Sequence, residues 1–148
     1  MFNFFKQNKE TAIRQVWNEL CLLDNFLSQE LGSFIQSQTH LEVSQWDFIN
    51  KPLSTLEKQR PNLKYELYGF AKNEIFVNTL QPDINKMLDI LRDFISARNV
   101  GDQGRQNALL LKFNLQLNTI STNYLKKLHE FRDLAERLTN EKFDINMN

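Results

Sequence analysis

Two long apolar stripes at helical spacing, one near each end of the chain, constrain this sequence most. From about Lys9 to Ser37 the apolar positions are Ile13, Val16, Trp17, Leu20, Leu23, Phe26, Leu27, Leu31, Phe34 and Ile35. Steps of three and four residues put them on one broad face of a helix of about eight turns. Glu10, Arg14, Asn18, Glu19, Asn25, Gln29 and Glu30 fall mainly off that face. The second stripe runs from about Arg105 to Asn140 on Leu110, Phe113, Leu117, Ile120, Tyr124, Leu128, Phe131, Leu134, Ala135 and Leu138. Both stripes are too broad for a solvent-exposed two-stranded coiled coil, and each contains four-residue steps that break a strict heptad.

Only 4 Gly and 3 Pro interrupt 148 residues, which favours long helices over many short strands. A chain of that length buries one sizeable core without a metal or a disulfide. The expectation is therefore one all-α domain over residues 1–148: a helical bundle with two long terminal helices, about 9–37 and 105–140, and shorter elements between. Residues 1–8 and 142–148 are expected as loose ends.

The middle is less regular. Ser44 can cap a short helix carrying Trp46, Phe48 and Ile49, with Pro52 ending or redirecting it. Leu53 to Arg60 fits a second short helical turn, and Pro61 suits the start of the next element. Residues 62–80 fit two structures. Leu63, Leu67, Phe70, Ala71, Glu74, Val77 and Leu80 line one face of a helix. Alternation at Leu63, Tyr65 and Leu67, with Lys72-Asn73-Glu74 as a turn, fits a β-hairpin and makes α+β the alternative class. Pro82 and Asp83 then open a clear helix through Arg98, and Gly101-Asp102-Gln103-Gly104 breaks it.

Chemistry is sparse. His40 and His129 lack an acidic residue three positions earlier, so the Glu-x-x-His pairs of di-iron bundles are missing. Cys21 lies within Leu20-Cys21-Leu22-Leu23, the setting of a buried structural thiol. Asp89 and Asp93 share a helix face with Arg92 beside them and read as a solvated face. The segment 101–104 lacks the Lys-Ser/Thr of a phosphate loop. No catalytic constellation, cofactor loop or metal-ligand spacing is present, so the expectation is a non-enzyme without cofactors.

Lys plus Arg and Asp plus Glu both number 18, which removes any global attraction to nucleic acid or anionic membrane. Two local features keep those partners as alternatives. Lys51, Lys58, Arg60 and Lys64 form a basic stretch that suits anion contact, with nucleic acid an unlikely partner. Phe2, Phe4 and Phe5, followed by Lys6 and Lys9, suit a small membrane anchor, and equally suit capping one end of the bundle. Neither a signal peptide nor an apolar run of membrane-spanning length is legible, which points to the cytoplasm.

The remaining feature is an absence of charge. Residues 113–125 carry none, yet include Asn114, Asn118, Ser121 and Thr122; residues 31–41 are similarly uncharged. Exposed helix faces are ordinarily dressed with Glu, Lys and Arg, whereas interface cores are depleted in them. Asn114, Asn118, Ser121 and Thr122 are thus candidate interface residues, unless they pack between helices of the same domain. The function class that follows is a helical protein–protein interaction module, an adaptor or a neutralising partner of one cognate protein. A homodimer belongs to the same class.

Overall fold

The computed structural model describes residues 2–32 and 43–140, with side chains from 11 to 32 and from 49 to 140. Among the described residues, four helical rods follow one another in chain order. α1 covers residues 2–32: an α-helix at Phe2–Asn25, then a single π-helical turn at Phe26–Glu30. α2 is Val43–Gln59, closed by a 3₁₀ turn at Arg60–Asn62. α3 covers residues 65–99, and α4 is Gln103–Thr139, about 55 Å long. No strand occurs among the described residues, so the hairpin alternative for 62–80 fails and the all-α bundle stands.

Cross-helix contacts give the topology. Trp17 stacks on Phe131 with ring centroids 6.2 Å apart, and Leu20 meets Tyr124, so α1 and α4 run antiparallel. Gln15 bonds Gln59 while Glu19 faces Lys51, which sets α2 antiparallel to α1. Glu57 pairs with Lys72, and Glu74 with Lys127, continuing the alternation through α3 and α4. The result is an up-down-up-down bundle. Its centre holds Trp17, Leu20, Leu23, Phe26, Leu56, Leu67, Ile75, Met87, Ile120, Tyr124 and Phe131, all fully buried.

α3 departs most from the sequence reading. It begins with an α-helical turn at Tyr65–Gly69, becomes π-helical over Phe70–Leu80, and returns to α-helix at Gln81–Asn99. The reason lies in the register of its apolar residues. Ala71 and Leu80 are both buried, but nine residues at about 100° each would put them on opposite faces. The wider i→i+5 turn realigns Ala71, Ile75, Phe76 and Leu80 on one face. Of the α-periodic set, Leu67, Ala71 and Leu80 are buried, but Val77 is 44% exposed, and Ile75 and Phe76 take its place inside.

Two boundaries also move. α1 starts at Phe2, well before Lys9. Pro52 neither ends nor redirects α2; it lies inside the helix. A buried Pro52, together with buried Ile49 and Leu56, shows tertiary packing outweighing the lost backbone hydrogen bond. At the α3–α4 connection Gly101 adopts φ 72°, and the Asp102 side chain accepts a bond from the Arg105 amide at 3.0 Å, capping α4. Asn140, in the left-handed region, closes its other end. Residues 141–148, which include the expected loose end, lie outside the described residues, as does His40.

Candidate interaction surface

Each inward position of α4 has an outward counterpart about half a turn away. Phe113, Gln116, Ile120, Tyr124, Leu128, Phe131 and Ala135 are buried. Leu110, read from sequence as an inward residue, is instead exposed, while Gln116, outside the apolar stripe, is buried. Gln116 is accommodated because its Nε2 donates to the Asp83 carbonyl at 2.9 Å. Asn123 donates to the Asp83 carboxylate at 3.0 Å, fixing α4 along α3 a second time.

On the outward side, Asn114, Asn118 and Thr122 are exposed and Ser121 is half-buried. The reading that places them between helices is therefore overturned for the first three. Two leucines that the sequence analysis did not single out share this face: Leu111 is 64% exposed and Leu115 61%. The signal was present, because 111, 115, 118 and 122 step by four, three and four residues, out of phase with Phe113 and Ile120. Continuing the same steps reaches Leu125 and His129, both half-buried. Around Ser121, Thr122, Leu125 and His129 the surface dips into an open hollow of about 480 Å³, bordered by Lys126 and Asp133. Short Ser and Thr side chains among longer ones create the dip.

The other candidates disperse. Lys51 faces Glu19 at 3.8 Å. The Arg60 guanidinium sits over the Tyr68 ring, 4.7 Å from its centroid. Lys64 donates to the Leu138 carbonyl at 3.1 Å, at the C-terminal end of α4. Lys58 is exposed. Three of the four basic groups thus already engage partners within the chain, on three different helices. The Tyr68 hydroxyl and the Lys72 ammonium both donate to Glu57 at 2.8 Å, and these bonds hold the Glu57 carboxyl below its usual range. The side chains of Phe2, Phe4 and Phe5, the candidate membrane contact, lie outside the described residues. No helix among the described residues is long and apolar enough to cross a membrane.

Titratable groups meet at one further place. Burial raises the Asp24 carboxyl above its ordinary value, and nearby His129 partly opposes the shift. Beside them Tyr124 is fully buried, its hydroxyl donating to the Leu20 carbonyl at 2.6 Å. Burial, with Asp24 and Cys21 near, pushes that phenol well above its usual value. Cys21 is buried, as its apolar flanks indicate. Among the described residues, no group of three His, Cys, Asp or Glu could hold a metal ion. An apolar groove of about 330 Å³ lies between α2 and α3, floored by Ile49, Leu53, Phe76 and Leu80. Compared with protein families, with curated proteins and with solved structures, the chain matches none.

Proposed function

We propose that the chain is a non-catalytic helical protein–protein interaction module that binds through the outward face of α4. The observation that carries this reading is the pair Leu111 and Leu115, exposed on a face otherwise made of Asn114, Asn118 and Thr122. Two neighbouring exposed leucines with no charge between them and Thr122, apart from Lys112, resemble the apolar, charge-poor centre of an interface. Thr119 supports this. Its hydroxyl donates to the Leu115 carbonyl at 3.0 Å, so the face carries less polar demand for water than its composition suggests.

The test compares the wild-type chain with the Leu111→Lys/Leu115→Lys variant as baits, at matched helical circular dichroism. A protein partner retained by the wild type and lost by the variant supports the reading. Identical retention of every partner by both overturns this surface as the binding site.

A further inference from the structure

The outward face of α4 has an internal symmetry. Its positions 111, 115, 118, 122, 125 and 129 follow the alternating four-three spacing of a coiled-coil seam. Read from either end, the spacing is the same, centred at the level of Ile120. The two halves differ in relief. Leu111 and Leu115 stand out at the N-terminal end, while the hollow around Ser121, Thr122, Leu125 and His129 occupies the C-terminal end. A face that carries ridges in one half and a hollow in the other is complementary to itself when inverted.

We propose that this face pairs with the same face of a second copy of the chain, in an antiparallel two-fold dimer. This rests on the proposed interaction role of α4 and names its partner. A two-fold axis at Ile120 sets Leu111 against His129 of the second copy, Leu115 against its Leu125, and Asn118 against its Thr122. Each layer then occurs twice, as an isologous contact requires. Leu111 and Leu115 of each copy seat in the hollow of the other. A parallel pairing would set leucine on leucine and hollow on hollow, leaving the hollows unfilled.

Charge lies on the flanks and at the rim of the hollow, where Lys126, Glu130 and Asp133 stand. In the antiparallel register Arg105 falls beside Asp133 of the second copy, an attractive pair, and Lys112 falls beside its Lys126, a repulsive one. These oppose each other, so leucine burial drives association, and the dimer is concentration-dependent and responds little to salt.

Two measurements on the full chain decide the matter. Light scattering across a concentration series should show a dimer that the Leu111→Lys/Leu115→Lys variant loses while retaining its helical circular dichroism. A wild-type chain that stays monomeric up to about 1 mM overturns the proposal, since weaker association is no specific dimer. For register, Asn118→Cys and Thr122→Cys chains are prepared separately and then mixed under mild oxidation. Both positions are exposed, so the fold tolerates them, and native Cys21 is buried. The mixed pair should cross-link at least about tenfold faster than either variant alone, through the effective concentration of pre-paired thiols. Faster cross-linking within a single variant overturns the antiparallel register. A chain that stays monomeric yet loses a different captured protein on Leu111→Lys/Leu115→Lys retains the interaction role and loses the dimer.

Discussion

The Tyr124 hydroxyl donates to the Leu20 carbonyl at 2.6 Å, joining α4 to α1 across 104 residues of sequence. Tyr124 is wholly buried, so this bond is made where water cannot substitute for it. Leu20 lies mid-helix, so its carbonyl is also within reach of the amide one turn on, and the hydroxyl is a second donor to the same oxygen.

Tyr124→Phe should therefore lower stability by about 1 kcal/mol, the ordinary net worth of one buried hydrogen bond, since the helical bond remains. The check is urea unfolding with a shared slope. A loss above about 3 kcal/mol would mean that Tyr124 also holds a wider network.

The π-helical stretch of α3 makes a sharper prediction, because adjacent residues exchange roles there. Phe76 is buried and Val77 is 44% exposed. Phe76→Ala should cost about 3 kcal/mol and Val77→Ala under about 0.5 kcal/mol. Were Phe70–Leu80 an ordinary α-helix with Phe70, Glu74 and Val77 inward, the ranking would invert. Thermal unfolding of the two variants distinguishes these registers.

That segment also shows where the sequence stops being legible. α1 and the inward row of α4 could be read because their apolar residues recur at one period throughout: Ile13 to Leu31, and Phe113 to Ala135, are buried almost as the stripes require. In α3 the period changes within one rod, so the residues from Leu67 to Leu80 satisfy neither a pure helix nor a pure strand, and a hairpin competes. Pro52 departs from local rules for a related reason. Local rules place a helix end there, while packing of Ile49, Pro52 and Leu56 carries the helix through it. At the candidate surface, the missing charge points to residues 113–125, of which Asn114, Asn118 and Thr122 are exposed. Leu111 and Leu115 are legible only through their phase against Phe113 and Ile120, which puts them on the outward side.

Gln116 offers a test of how α3 and α4 hold their register. It is a buried polar side chain on the inward face of α4, bonded to the Asp83 carbonyl near the start of the Gln81–Asn99 segment. Gln116→Ala removes both the bond and the packing, and should cost about 2 kcal/mol. Gln116→Met keeps the volume and should cost under about 1.5 kcal/mol. Equal losses for both would show that the amide bond, and not the volume, holds that level of the bundle; chemical denaturation gives the comparison.

Asp24 sets a pH dependence with a definite sign. Its carboxyl is raised above the ordinary value mainly by burial, with His129 acting in the opposite sense. The folded chain thus binds this proton more readily than the unfolded chain. The associated stability is fully present below the unfolded value and is lost as pH rises through the raised folded value. At neutral pH the charged carboxylate is a net cost, so Asp24→Asn should raise the melting temperature there. The gain is at most about 1 kcal/mol, because the group is only half-buried and solvent screens it. Acidification below about pH 4 protonates Asp24 in both states of the wild type and should erase the difference between the two chains. Melting curves from pH 3 to pH 8 are the check. An Asp24→Asn chain less stable than wild type at neutral pH would mean that attraction to His129 outweighs desolvation at the α1–α4 contact.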